Sequence, residues 1–356
     1  DWIERGLAAA GGQASPAAVQ LRITARLIHT RQADYERALD HVQTALEMAE
    51  RLGDLAALAR ADNMLGLIAL NRGDSLTAAG HFERGRALYE QAGDLHGQAM
   101  SHNLIASARF NAGQLTPAAE HYRRAHAIFD LAGDGYNRAF ADNNLGEVAL
   151  TQGRLDEAQA RYQDALSAFE KLGASPYVRG AVRMNLGAVL IGRREAVSAQ
   201  QAREHLRAGR ALFDQAQARD FLPELHRHLA KAALLAGDPA EAETEGREAL
   251  RLAREFAMRG EEGCARRVLG EAAEAQGRWP EAEAEFTASI AILDDVADDL
   301  QAARSRLALA QGYAARGAGE RAGALLEASQ AVFDRLGAAL DGDAARALRA
   351  ALTPAP

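Results

Sequence analysis

Lysine is nearly absent from this chain: of its 41 basic residues only Lys171 and Lys231 are lysines. The bias towards arginine reads as the codon usage of a GC-rich genome. No phosphate-cradling loop of the form G-x-x-x-x-G-K-S/T is present, so a nucleotide-hydrolysing module, if one is attached, lies outside this sequence. The single cysteine, Cys264, excludes an internal disulfide framework and fits a reducing cytosol. No apolar run approaches the ~20 residues that span a bilayer, so no membrane partner is expected. A net charge of -8 provides no basic stripe for phosphates, and no nucleic-acid partner is expected. H-E-x-x-H and G-x-S-x-G are missing too. The chain is accordingly expected to be no enzyme and to need no metal and no cofactor. No signal peptide is visible, and the abrupt opening Asp1-Trp2-Ile3-Glu4 suggests a fragment of a longer cytoplasmic protein.

What the sequence does have is self-similarity. A length of 356 residues ordinarily implies two or three domains. A repeat array escapes that expectation, because each unit buries its apolar face on its neighbours. Gly73, Gly113 and Gly153 stand 40 apart, as do Gly237, Gly277 and Gly317, and the step between the two sets is 84. The four surplus residues are assigned to a longer inter-helix turn at Gly192–Ser198. Before each glycine comes Leu-Gly or a close substitute: Leu65-Gly66, Ile105-Ala106, Leu145-Gly146, Leu186-Gly187, Leu229-Ala230, Leu269-Gly270 and Leu309-Ala310. After it come a small residue (Ala78, Ala118, Ala158, Ala242, Ala282, Ala322) and then a large one (Phe82, Tyr122, Tyr162, Leu206, Phe286, Leu326). The first unit keeps Ala38, Val42 and Ala45 but has Ala33 in place of its glycine. Small residues where helices cross and large ones in the gaps are what close antiparallel packing requires. Alanine and leucine, both strong helix formers, supply most of the apolar content.

Turn chemistry points the same way. Thr116-Pro117 and Asp238-Pro239 read as a cap followed by proline at the start of second helices, with Pro280 likewise. Gly53-Asp54, Gly93-Asp94 and Gly133-Asp134 read as helix ends. Tyr89, Phe129, Phe169, Phe213 and Phe333 form a column of plugs between units. His41, His81, His121 and His205 share one repeat position, where a pH sensor is conceivable, although repeat duplication at a half-exposed site accounts for them. Cys264 falls on the inner face of a first helix and reads as small packing. The many carboxylate pairs read as solvated faces.

These residues resemble the tetratricopeptide repeat: Leu-Gly in the first helix, Gly at the turn, then Ala and an aromatic residue in the second. The resemblance runs from residue ~17 to ~338, with units longer than the usual 34 residues. They are similar to long-repeat arrays in LGN-type scaffolds, in STAND signalling ATPases and in LuxR-type and MalT-like regulators. The implied fold is all-α, a right-handed superhelical solenoid of about eight helical hairpins. The domains read as 1–16, the tail of a preceding repeat; 17–215, an N-terminal sub-array; 216–340, a C-terminal sub-array; and 341–356, a tail.

In such arrays the first helices line a concave surface. Carried over position by position, the resemblance places Arg60, Asn63 and Leu67, then Met100, Asn103, Ser107 and Phe110, then Phe140, Asn143 and Glu147 on that surface. Asn63, Asn103 and Asn143 form a ladder able to grip an extended backbone, or to bond neighbouring helices instead. Further along, Glu224, Arg227 and Lys231, then Arg267, Glu271 and Glu274, then Arg304 and Gln311, make the inner face charged. The expected function is a non-catalytic sensor or docking array of a larger bacterial signalling ATPase or transcription regulator. Its partner would be a peptide or protein in the groove, or a small-molecule inducer, with the effector NTPase outside this chain. The alternatives are a free-standing peptide-binding scaffold and a small-molecule receptor.

Overall fold

The computed structural model describes residues 5–6, 13–31 and 34–352. The expected tail of a preceding repeat falls mostly outside them, as does Ala33. The described residues form helices and no strand. In order these are α1 (Pro16–Arg31), α2 (Tyr35–Leu52), α3 (Leu55–Asn71), α4 (Ser75–Gln91), α5 (Leu95–Asn111), α6 (Leu115–Leu131), α7 (Gly135–Thr151), α8 (Leu155–Lys171) and α9 (Pro176–Gly192). There follow α10 (Ala196–Ala216), α11 (Leu222–Leu235), α12 (Pro239–Glu255), α13 (Arg259–Ala275), α14 (Trp279–Asp295), α15 (Asp299–Ala315), α16 (Gly319–Leu336) and α17 (Ala339–Leu352). Odd-numbered first helices and even-numbered second helices make eight hairpins, with α17 left over. The fold is an all-α solenoid.

The turns carry out what the Gly-Asp pairs suggest, with one addition. Glycines 53, 73, 93, 113, 133, 153 and 173 take positive φ and stop a helix. The aspartate that follows caps the next helix: Asp54, Asp74 and Asp94 each accept the backbone N–H three residues on, at 2.9, 3.0 and 2.8 Å. Asp238 caps α12 in the same way, at 3.0 Å. Thr116 does not. Helix α6 begins at Leu115 behind Gln114, which makes no side-chain cap, and Thr116 lies inside the first turn.

The surplus residues are not in the turn between α9 and α10. That turn is Arg193–Glu195, no longer than the turn Arg72–Asp74. The positive-φ residues ending first helices fall at 153, 194 and 237, so one extra residue precedes α9 and three lie beyond Arg194. Beyond Arg194, α10 has 21 residues where α8 has 17, the turn 217–221 has five where 72–74 has three, and α11 has 14 where α9 has 17, a net gain of three. The insertion therefore lengthens the second helix and the turn behind it together.

Two compact units divide inside α7, 1–141 and 142–356, whereas the repeat spacing placed a joint near 215. Across that expected joint Met184, Leu190, Leu206, Phe213, Leu225 and Leu229 share one core, so α9, α10 and α11 pack continuously.

Four hairpins are closed by the same socket, at Gly66, Gly146, Gly187 and Gly270. The small residue of the Leu-Gly pair leaves room for the large residue of the second helix. A β-carbon at Gly66 would meet the Phe82 ring at 2.4 Å, one at Gly146 the Tyr162 ring at 2.8 Å, and one at Gly270 the Phe286 ring at 2.7 Å. At the crossing to the next hairpin Gly97 of α5 admits Tyr89 of α4, and a second socket inside the fifth hairpin has Gly180 of α9 admitting Phe213 of α10. Phe129, Phe169, Phe213 and Phe333 are all essentially sealed from solvent.

Two substitutions test this frame. Gly66→Ala gains helix propensity yet drives a methyl into an aromatic ring, and should cost a net ~1–2 kcal/mol in chemical denaturation. Adding Phe82→Leu, which makes the alanine–leucine pairing already present in the core at Ala310 and Leu326, should restore most of the loss. Ala297 ends α14 at φ 56, where a β-carbon is strained. Ala297→Gly should stabilise by about 0.5–1 kcal/mol in the same assay.

Candidate functional site

In the first unit the residues assigned to the inner face lie on α3, α5 and the start of α7. Asn63 is only 3% exposed, and its amide donates to Ser101 Oγ of the next first helix at 3.0 Å. Gly85 makes room for it, since a β-carbon there would lie 2.4 Å from Asn63 Oδ1. Asn63 therefore stitches one hairpin to the next. Leu67 packs into the core around Phe82 and Ile105. Ser107 is half-buried and accepts from the Tyr122 hydroxyl at 3.4 Å. Arg60, Asn103, Phe110 and Phe140 are half-buried, and Met100 is 37% exposed. Phe140 meets Tyr136 edge-on at 5.1 Å. This stretch presents apolar side chains beside an asparagine.

The second unit is charged. Asn143 accepts from Asn185 Nδ2 at 3.1 Å, so at the start of this unit too an inner asparagine bonds to a neighbouring first helix. Arg227, 6% exposed, reaches Glu224 on its own helix and Glu261 on α13, both at 3.1 Å. Glu224 also takes a hydrogen bond from His228 at 3.4 Å. Burial alone would raise the Glu224 carboxyl, but His228 and Arg227 hold it at about 2. Burial pushes His228 down, and the neighbouring Arg227 adds to this. Arg267, 2% exposed, donates to the Gln301 carbonyl at 2.9 Å, the Gln301 side chain at 2.7 Å and Ser305 Oγ at 3.3 Å. Asn63–Ser101 and Arg267–Ser305 are the same stitch, each spanning 38 residues of sequence, made once by an amide and once by a guanidinium.

Among the inner residues of this unit, Glu147, Lys231 and Glu271 form no ion pair with another described residue. Glu147 is open to solvent yet hemmed in by protein, and that burial, with Glu224 opposite, pushes its carboxyl up to about 7. Lys231 is half-buried. Its surroundings lower the ammonium to about 8, burial acting first and Arg267, Arg227 and Arg304 adding to it against the opposing pull of Glu271. Glu147 on α7 feels Glu224 on α11 although a whole hairpin separates them in sequence. Consistent with such tight winding, a β-carbon at Gly153 would lie 3.5 Å from Leu340 of α17. Cys264 is not on this surface. It lies in the core against Leu293 and Ala302, and burial raises its thiol.

Five hairpins also carry a polar pair whose members stand 19 residues apart, a feature the histidine column only half disclosed. Asp62 pairs with His81 at 3.0 Å, His102 with His121 at 2.9 Å and Asp142 with Arg161 at 2.8 Å. His226 pairs with Glu245 at 2.5 Å and Arg266 with Glu285 at 2.9 Å. Only the residue opposite each histidine, 19 positions away, would have revealed it. Of these five, the histidine–histidine pair alone is made without a carboxylate. One ring donates to the bare nitrogen of the other, which works only while at least one ring is neutral. Around it stand Glu83 and Arg86 of α4, Arg109 of α5 and Arg124 of α6. Burial, with His121 adjacent, lowers His102 to about 4, and burial lowers His121 as well. Both folded values lie below the unfolded 6.5, so their contribution is full above about 6.5 and is lost as pH falls towards 4.

The substitution His102→Asp recreates the Asp62–His81–Arg84 arrangement one repeat later, with the new carboxylate facing His121 and Arg124. Between pH 7.5 and 5 the wild type should lose on the order of 1–3 kcal/mol more than the His102→Asp protein. Parallel Tm-versus-pH curves for the two proteins would remove the histidine pair as the cause.

A tetratricopeptide repeat profile matches residues 97–171, the stretch from α5 to the end of α8. No curated protein sequence matches the chain. Among solved structures, aspartyl phosphate phosphatase F from Bacillus subtilis superposes with a TM-score of 0.67 at 14% identity, covering 85% of this chain and 80% of that one. A Rap protein complexed with competence and sporulation factor gives 0.64 at 14% identity, with 94% and 97% covered. A STAND protein with a tetratricopeptide repeat sensor from Pyrococcus horikoshii gives 0.55 at 14% identity, with 92% of this chain but 55% of that one covered. At such identities the likeness is one of fold. The chain is an all-α helical repeat protein, with tetratricopeptide-type repeats at residues 97–171.

Proposed function

We propose that this chain is a non-catalytic binding array that takes a peptide or protein segment on the inner face of its first helices. The observation that carries the reading is a contrast between positions. Core-facing residues of these helices fill sockets and most charges are paired, whereas Met100 and Phe110 in one unit and Glu147 and Lys231 in the other stand at inner positions without a structural task. Apolar surface beside a few polar groups is how binding sites are generally built. The Rap protein of similar fold is named for its complex with a factor, and the similar STAND protein for its sensor. Both support a sensing role here, and the partial coverage of the STAND protein favours an effector carried by a larger regulator.

A free-standing peptide receptor is the second reading, favoured by the near-complete mutual coverage with the Rap protein. Asn103 remains a candidate to hold a ligand backbone, while Asn63 and Asn143 are rungs given to the frame.

The test is affinity selection of a random short-peptide library on the purified chain, read by mass spectrometry. Asn103→Ala with Phe110→Ala should cut retention about tenfold while the circular dichroism stays helical. Asn63→Ala should instead lower stability by ~1–3 kcal/mol, because it strips the buried Ser101 hydroxyl of its partner. A library that is never retained, or is retained equally by the double variant, would count against the inner face as the site.

A further inference from the structure

The first hairpin, α1 with α2, departs from both patterns that the later hairpins share. Sixteen positions separate the small residue from the large one in a socket, as in Gly66–Phe82, Gly146–Tyr162 and Gly270–Phe286. The same spacing sets Arg26 opposite Val42, so here the large residue stands on the first helix and the small one on the second. Nineteen positions separate the members of a polar pair, and four of the five pairs contain a carboxylate. That spacing sets Arg22 opposite His41, two bases and no acid.

Helix α1 adds a third base. Arg22, Arg26 and His29 stand at i, i+4 and i+7 and so form one stripe along the helix. The His29 ring stacks on that of His41, with centroids 5.2 Å apart and planes 15° apart, which carries the stripe across to α2. Arg26 is only 5% exposed, yet neither Arg26 nor Arg22 forms a hydrogen bond or ion pair with any described residue. Their Nε atoms and His29 Nδ1 are sealed from solvent without an acceptor, whereas the terminal nitrogens of both guanidinium groups are not sealed. The stems are thus fixed in protein, and the outer edges of the two forks stay within reach of a small solute. Burial pushes the Arg26 guanidinium down from its usual value, with no anion opposing it. The nearby carboxylates of α2 do not serve: Asp34 caps the helix and pairs with Arg37, and Glu36 and Asp40 are exposed.

Like charges four residues apart on a helix repel, and a buried cation without a partner is unfavourable. A doubly charged oxyanion relieves both at once, and its peripheral oxygens suit the planar forks of two arginines. We infer that the mouth of the first hairpin binds a phosphate-type dianion, held by the terminal nitrogens of Arg22 and Arg26 beside the His29–His41 stack. By the forty-residue period the inner positions of α1 include Gln20 and Ile23, so this site is separate from the groove proposed above. The dianion is either free phosphate or the phosphoryl group of a modified side chain.

The purified full chain is titrated with sodium phosphate at constant ionic strength, with acetate as the singly charged control, and the unfolding temperature is read. Phosphate should raise it saturably and acetate should not. Arg26→Met keeps the stem that fills the socket and removes the charge. Without phosphate it should unfold at the wild-type temperature or above, and it should bind phosphate about tenfold more weakly or worse. Arg22→Met should weaken phosphate to a similar degree. Arg51→Met, which removes an exposed arginine at the far end of α2, paired with Glu47, should leave phosphate binding unchanged. A short peptide with one phosphoserine, set against its unphosphorylated form, separates the sources. Tighter binding than inorganic phosphate marks a modified protein segment, and equal binding marks the free ion.

No saturable shift of the wild type with either phosphate or phosphopeptide would overturn the site. So would equal shifts in the wild type, Arg22→Met and Arg26→Met. Should Arg26→Met fail to fold, Arg22→Met against Arg51→Met decides, and equal phosphate affinity of those two overturns the assignment.

Discussion

Everything in this protein depends on a small residue opposite a large one. Where two helices of a hairpin cross, the backbone of the first must come within van der Waals reach of an aromatic or leucine side chain from the second. Only glycine or alanine allows this. The Gly66–Phe82, Gly146–Tyr162 and Gly270–Phe286 sockets are the same contact made again and again. Each hairpin still exposes an apolar flank, which the next hairpin covers through plugs such as Tyr89 against Gly97. Stability is then a sum of short-range contacts passed from neighbour to neighbour, not one shared centre.

Such a frame frees the inner positions of its first helices from packing duty, and the chain uses them in two ways. Some become stitches between successive first helices: Asn63 to Ser101, Asn185 to Asn143, Arg227 to Glu261 and Arg267 to Gln301 and Ser305. Others, Met100 in the first unit and Glu147 and Lys231 in the second, are left facing outward from the helix with nothing to hold. A stitch and a ligand contact draw on the same residue types, since both call for a polar group projecting between neighbouring helices. Which role a residue takes depends on whether a partner stands within about 3 Å of it.

The intra-hairpin pairs follow a similar economy. At one crossing the chain needs two polar groups in contact, and it meets that need with acid and histidine, two histidines, acid and arginine, or arginine and acid. The chemistry varies while the geometry stays. The histidine pair thereby places acid sensitivity in the hairpin of α5 and α6, in the same positions that hold a carboxylate–arginine pair in the hairpins of α7 and α8 and of α13 and α14.

The number of hairpins, the helical periods, the stopping glycines and the sockets were all legible from residue identity, because they are local and recur at fixed spacing. The insertion near residue 195 was visible as a count, but its place was not. A longer helix and a longer turn occupy the same length in sequence, and only the packing of α9, α10 and α11 divides the surplus between α10 and the turn behind it. Likewise the inner face could be identified by position, yet Asn63 reads as a groove residue until Ser101 is found bonded to it. The lone charges at Glu147 and Lys231 are further still from sequence reach. Being unpaired is a property of everything that winding brings near a side chain, and residues a hairpin or more apart, such as Glu147 and Glu224, meet only once the solenoid has turned.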